Sequence, residues 1–154
     1  MGFSPVTIRE ALQEFRVLGI DTSPFIYFVE RHPQYSPLVR SIIERAEAGE
    51  TELVTSVLTL TEVLTLPLQQ NADAIATSYR SILLNSPYIR VLTIDSEVAE
   101  EAARLRARYR LGTPDAIQLA VTLRAGCDAF LTNDKKLKRV QELPVLLLSE
   151  LRKD

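Results

Sequence analysis

Four carboxylic acids stand out by their neighbours: Asp21 in Ile-Asp-Thr-Ser, Glu62 in Leu-Thr-Glu-Val, Asp115 in Thr-Pro-Asp-Ala and Asp134 in Thr-Asn-Asp. Each lies where an apolar, strand-like run gives way to a helix, or within a helix's first turn. In a parallel α/β fold the carboxyl ends of the strands and the amino ends of the following helices share one edge of the sheet. Acids placed in this way are expected to meet there. Ionised carboxylates at close range repel one another unless they take up protons or hold a cation. They are hard oxygen ligands suited to Mg²⁺ or Mn²⁺, and no His/Cys cluster of zinc type accompanies them. Metal-assisted hydrolysis of a phosphodiester is the chemistry such a set can support: bound water made acidic, oriented in line, and charge on the phosphate neutralised.

Every one of the four also has a purely structural reading. Asp21 and Asp134 sit in turns, where a carboxylate accepts backbone hydrogen bonds and caps the next helix. Thr59-Leu60-Thr61-Glu62 matches the capping box, in which the Glu reaches back to the first amide of its helix. Asp115 follows an expected N-cap at Thr113 and a first-turn Pro114, where the helix dipole favours an acid by roughly 0.3–1 kcal/mol. The small, apolar stretch Ala116–Val121 nevertheless predicts a deeply packed helix beneath Asp115. Other acids are ordinary: Asp95-Ser96-Glu97 starts a helix, and Glu44, Glu47, Glu100 and Glu101 read as solvated helix faces.

The elements that must position these residues alternate along the chain. Strands are predicted at Val17–Ile20, Leu53–Thr55, Arg90–Ile94, Ala129–Thr132 and Val145–Leu148. Ser36-Pro37 opens a helix with Leu38, Val39, Ile42, Ile43 and Ala46 on one face, ended by Gly49. Ser23-Pro24 and Thr113-Pro114 repeat that start signal beside two of the acids. Further helices are expected over Asn71–Leu84 and Ser96–Tyr109, and a short one over Ser4–Phe15, capped by Ser4-Pro5. This β-α alternation predicts an α/β fold: a three-layer α/β/α sandwich around a mainly parallel sheet of about five strands, with right-handed crossovers. The 154 residues are expected to form one domain, with residues 1–16 as an N-terminal extension whose packing the sequence leaves open.

Composition bounds the function. Hydrophobic residues make up 46% and charged residues 25%, ordinary for a globular protein. No apolar run approaches the ~20 residues of a membrane span, and no basic n-region precedes an apolar stretch, so a cytoplasmic location is expected. The single Cys127 excludes an internal disulfide and reads as a small core residue rather than a nucleophile. The only histidine, His32, falls in a predicted loop. The net charge of −2 becomes +2 without the four acids, and basic residues gather at Arg104, Arg106, Arg108 and Arg110 and at Lys135, Lys136, Lys138 and Arg139. Those nearest the acids are candidate contacts for a phosphate backbone, against the plainer reading of solvated helix faces. Phe25, Ile26, Phe28 and Val29 are expected either in the core or on a surface that receives a partner.

Taken in order, Ile20-Asp21-Thr22-Ser23, Thr61-Glu62-Val63, Thr113-Pro114-Asp115-Ala116 and Leu131-Thr132-Asn133-Asp134 resemble the motifs of PIN-domain nucleases, most closely the VapC-type toxins of toxin–antitoxin pairs. The resemblance runs from about Leu18 to the end. It implies that Asp21, Glu62, Asp115 and Asp134 are the catalytic, metal-binding quartet for Mg²⁺ or Mn²⁺. Ser23, Thr132 and Asn133 would be supporting polar residues. Asp21 and Asp115 are assigned as direct ligands, with Glu62 and Asp134 completing the shell partly through water. An RNA substrate, a small antitoxin partner and a homodimer are also implied. Three other readings compete: a PIN-like domain acting on structured DNA, a non-catalytic binding or receiver domain whose acids cap helices, and a phosphotransferase with Asp21 as nucleophile. The last wants a second Asp two residues on, where this chain has Ser23.

Overall fold

The computed structural model describes residues 7–154. Five strands form one sheet: β1 (Val17–Ile20), β2 (Glu52–Ser56), β3 (Ile89–Leu92), β4 (Ala129–Thr132) and β5 (Val145–Leu147). Their order is β3-β2-β1-β4-β5, and every pairing is parallel. The chain builds outward from β1 through β2 to β3, then crosses back and builds β4 and β5 on the other side. The strand order therefore reverses between β1 and β4, and a crevice opens above their carboxyl ends, the usual ligand site of such sheets. The Asp21 N–H donates to the Leu131 carbonyl (2.9 Å), tying the end of β1 to β4 where that crevice begins.

Helices cover both faces, giving the three layers. They are α1 (Ile8–Glu14), α2 (Thr22–Val29), α3 (Ser36–Glu47), α4 (Val57–Gln69), α5 (Asp73–Leu84), α6 (Ser96–Tyr109) and α7 (Thr113–Arg124). Short 3-10 turns follow β4 at Lys135–Arg139 and β5 at Leu148–Glu150. Leu18, Ile20, Leu53, Ile89 and Leu131 face a core closed by α1 to α5, and Val54, Phe130 and Val145 face one closed by α6 and α7. Strands buried on both faces read as continuous apolar runs, which is why β1, β4 and β5 were legible; the edge strand β3, with Arg90 exposed, shows as a mixed run. No helix among the described residues is long and apolar enough to cross a membrane.

The boundaries differ from expectation where several start signals compete. In α3 the cap position falls on Tyr35, and in α7 on Gly112, so Ser36-Pro37 and Thr113-Pro114 fill the first two helical positions instead of cap and first turn. Proline is tolerated at either place, because all of the first amides of a helix lack an intrahelical partner. The helix after β1 starts before Ser23-Pro24, capped by Asp21 itself. α4 begins at Val57 with the Ser56 hydroxyl accepting from the Leu58 N–H (3.2 Å), so the capping box expected at Thr59–Glu62 does not form. The first helix is capped by Thr7, whose hydroxyl accepts from the Glu10 N–H (3.1 Å); the expected Ser4-Pro5 cap lies outside the described residues. Ile8 and Ala11 bury this helix in the core. On α2, Phe25 is fully buried and Ile26, Phe28 and Val29 pack partly against the same core.

One contact fixes the height of α7 over the sheet. A Cβ added to Gly19, in the middle of β1, would lie 2.2 Å from Thr122 Oγ1 and 2.8 Å from Thr122 Cβ. Only a residue without a side chain lets helix and strand approach this closely. Gly19→Ala is expected to destabilise the fold by about 1–3 kcal/mol, the usual cost of overpacking. Thr122→Ala in the same chain should recover part of it. Urea unfolding of the wild type and the two variants checks this; a Gly19→Ala chain as stable as the wild type would show that α7 is free to lift.

Candidate metal site at the carboxyl edge of the sheet

All four acids of the predicted quartet come to the carboxyl edge of the inner strands. Asp21 leaves the end of β1, and its carboxylate is held from two sides: Oδ1 accepts from the Thr22 N–H (2.8 Å) and Oδ2 from the Thr132 hydroxyl (2.7 Å). Thr132, fully buried at the end of β4, also accepts from the Asp134 N–H (3.1 Å). One hydroxyl therefore spans the crevice and sets the relation of Asp21 to Asp134. Asp134 Oδ1 caps the following 3-10 turn by accepting from the Lys136 N–H (3.0 Å). Asp115 stands in the first turn of α7. Glu62, in the second turn of α4, accepts from the Thr22 hydroxyl at 2.5 Å.

The acids feel one another. Burial pushes the Asp21 carboxyl from 3.8 up to about 6, against the hydrogen bonds from Thr132 and Thr22, with Asp115 and Glu62 raising it further. The Asp115 carboxyl is raised by burial and by the charges of Asp134 and Glu62, while Lys136 pulls it back. The capping reading accounts for Asp21 and Asp134, which do accept cap bonds. Asp115 keeps its dipole reading, since it stands in the first turn of α7, and Glu62 alone is left without one, because α4 is capped by Ser56.

The donor set suits a hard divalent cation, but the side chains stand apart. Among the described residues, no three of His, Cys, Asp and Glu are drawn together closely enough to hold one ion. Like charges gain by separating where nothing neutralises them, and three of the four carboxylates are tied to hydrogen-bond donors at their own walls of the crevice. The chemistry of the donors fits Mg²⁺ or Mn²⁺; a common ligand sphere would need the side chains to turn inward.

The supporting residues divide. Thr132 is in contact with Asp21. Asn133 braces the rim instead, its amide donating to the Tyr27 hydroxyl (3.4 Å) and its carbonyl accepting from the Ser149 N–H (3.0 Å). The Ser23 side chain, partly buried at the second position of α2, makes no hydrogen bond among the described residues. His32 is engaged in the loop before α3, where Nδ1 accepts from the Gln34 and Tyr35 amides (both 3.2 Å) and the ring stacks on Tyr35. Burial pushes the Cys127 thiol up to about 11, so it is not a nucleophile near neutral pH. Of the basic candidates, Arg106 donates to the Leu111 carbonyl, Arg108 pairs with Glu142 and Lys138 with Glu150. Arg110, Lys135 and Lys136 form no ion pair among the described residues, and Lys136 is the one whose charge reaches Asp115.

Sequence reasoning gave no site role to Thr22, Ser56, Thr59 and Gln118, a buried hydrogen-bonded group directly beneath Glu62. The available signal was a glutamine in an otherwise apolar helix face together with three hydroxyl residues at helix starts.

The sequence profile of the PIN domain matches residues 19–143. The chain belongs to the PIN domain family. Solved PIN-fold structures resemble it over nearly their whole length. VapBC2 from Rickettsia felis, bound to a DNA fragment from its promoter, is 14% identical with a TM-score of 0.64, covering 90% of this chain and 98% of that one. VapC20 of Mycobacterium tuberculosis, described as a sarcin-ricin loop cleaving toxin, is 19% identical with a TM-score of 0.62, covering 83% and 98%. FitAcB from Neisseria gonorrhoeae is 20% identical with a TM-score of 0.64, covering 88% and 99%. At such identities the likeness is one of fold. No curated protein sequence matches the chain.

In this PIN domain the raised Asp21 carboxyl has a thermodynamic consequence. Between about pH 4 and pH 6 the folded state binds a proton that the unfolded chain has released, so stability contributed by Asp21 is present at low pH and lost as pH rises through about 6. Without divalent cations, Asp21→Asn is expected to gain on the wild type by on the order of 2–3 kcal/mol as the pH goes from 4 to 7. Denaturant unfolding of both chains across that range checks it; a gap independent of pH would show that Asp21 is not held above its ordinary value.

Proposed function

We propose that this PIN domain is a metal-dependent endoribonuclease that hydrolyses RNA phosphodiesters and is the toxin of a toxin–antitoxin pair. The observation that supports it most is the gathering of Asp21, Glu62, Asp115 and Asp134 at the switch point of the sheet, where burial first, and the charges of Asp115 and Glu62 after it, push Asp21 up to about 6 and burial with the charges of Asp134 and Glu62 raises Asp115. An edge built that way gains from a cation. When bound, Mg²⁺ or Mn²⁺ would acidify a water and neutralise charge on the scissile phosphate. Asp21 and Asp115 would be direct ligands, and Glu62 and Asp134 would complete the shell, partly through water. Thr132 and the Thr22 amide keep both oxygens of Asp21 aimed from fixed positions. Lys136, whose charge reaches Asp115, would supply positive charge for the RNA backbone beside the acids, with Arg110 and Lys135, which form no ion pair among the described residues, as further candidates.

RNA as substrate draws support from the likeness to VapC20, and an antitoxin partner from the likeness to VapBC2 and to a toxin–antitoxin complex from Klebsiella pneumoniae. The exposed apolar residues Leu66 and Leu68 on α4 and Ile75 and Leu84 on α5 offer surface for the antitoxin or a second copy.

The purified protein is expected to cleave RNA with Mg²⁺ or Mn²⁺ and to stop when the metal is chelated. Asp21→Asn and Asp115→Asn should each cost about 100-fold or more in rate, beyond the usual loss for a residue outside the ligand sphere. Mg²⁺ should raise the melting temperature of the wild type and not that of Asp21→Asn, since binding to the folded state alone stabilises it. Cleavage that survives chelation, or wild-type rates from either Asn variant, would remove the metal site from the mechanism.

A further inference from the structure

Beneath Glu62 the side chains form a hydrogen-bonded chain in which every proton is accounted for. Thr55 donates to the Ile20 carbonyl (3.0 Å), which can only accept, so the single proton of the Thr55 hydroxyl is committed. In the 2.8 Å contact between Thr55 and Thr59, Thr59 must then be the donor. With its own proton spent, Thr59 Oγ1 can only accept from Gln118, 2.7 Å away, which requires the amide nitrogen on that side. The same nitrogen donates its second proton to Thr22 Oγ1 (3.1 Å). On the other side the amide oxygen accepts from the Ser56 hydroxyl (2.8 Å), whose oxygen in turn caps α4. Thr22, approached from below by a donor, turns its own proton to Glu62 Oε1 (2.5 Å) in preference to Thr59 Oγ1, which stands at 3.5 Å.

The group is sealed. Ser56 and Thr59 are fully buried and Gln118 is 2% exposed, and no buried side-chain polar atom among the described residues lacks a partner. Satisfying it takes a residue with two donors and an acceptor on one rigid plane, which an amide supplies and an apolar or acidic side chain does not. A buried amide left without partners is costly, so the group holds together or fails together.

We infer that Gln118 is a positioning residue: it assigns the Thr22 proton to Glu62 and so fixes that carboxylate at the acid edge. The inference rests on the proposed metal site and says how one of its acids is kept there. Glu62 stands on an exposed face of α4. A glutamate there has rotamer freedom to lose, and the charges of Asp21 and Asp115 favour its swinging away. The Thr22 hydroxyl opposes both by holding Oε1, leaving Oε2 for a cation or its water. Through Gln118 the hold is referred to α4, α7 and the end of β1 at once.

The test is Mn²⁺ affinity of the RNA-free protein, measured by calorimetry or electron paramagnetic resonance, in Thr22→Val, Thr22→Ser, Gln118→Met and the Thr22→Val/Gln118→Met pair. Thr22→Val should weaken binding about 10-fold, as for residues that orient a ligand from outside, while Thr22→Ser keeps the donor and restores it. Gln118→Met should weaken binding by a similar factor. The pair should bind no worse than the weaker single variant, because both act through one hydrogen bond. The Thr22 hydroxyl proton should be visible to NMR in the metal-free wild type and lost in Gln118→Met. Wild-type affinity in Thr22→Val overturns the inference, whether or not Gln118→Met folds. Fully additive losses also overturn it. A wild type that binds Mn²⁺ in this pattern but cleaves no RNA defeats the proposed ribonuclease and leaves the inference standing; a wild type that binds no Mn²⁺ defeats both.

Discussion

The parallel pairing of β1 with β4 is the constraint from which the rest of the site follows. It puts the strand-order reversal at the centre of the sheet and brings two strand ends, 111 residues apart in the chain, within reach of the single Thr132 hydroxyl that bonds Asp21. Glu62 and Asp115 arrive on helices: α7 is seated on β1, β2 and β4, and α4 continues directly from β2 and packs on α2, α5 and α7. If β4 paired elsewhere, the same four acids would be scattered caps.

On the proposed reading, that arrangement trades stability for a cation site. Asp21 is partly buried, hydrogen-bonded and still pushed up to about 6, because the Thr132 and Thr22 donors only partly offset burial and the neighbouring acids. A stretch of backbone selected for stability alone would carry an asparagine there. The two hydrogen bonds orient the carboxylate more than they relieve it, and orientation is what the proposed ligand role would require.

The β-α alternation was legible because strands buried on both faces show themselves as short apolar runs, and β1 and β4 were bounded to the residue. The acids were legible as a set because each sat beside a strand end or helix start. Helix starts were less so. Between Thr55 and Thr61 the chain offers Thr55, Ser56, Thr59 and Thr61 as caps, and local pattern favoured Thr59 with its matching Glu62. The sheet decided otherwise, because β2 runs on to Ser56 and the helix can begin only there. Gln118 was hidden for a related reason: it lies within a stretch that reads as apolar and deeply packed, and nothing local says that three hydroxyls from other elements will surround it.

Asp115, Gln118 and Thr122 are spaced by three and four residues, so they share one stripe along α7. Thr122 rests on the bare backbone of Gly19 at one end of that stripe, and Asp115 reaches the crevice at the other. The helix therefore behaves as a gauge, with its zero set at a glycine that touches neither acid nor cation. Substitution tolerance along β1 is inverted relative to the surrounding core: position 19 suffers from a gain of one carbon, where its neighbours suffer from a loss. A single methyl group at that position would act as a shim, tilting the far end of the helix and shifting Asp115 in the crevice without touching it.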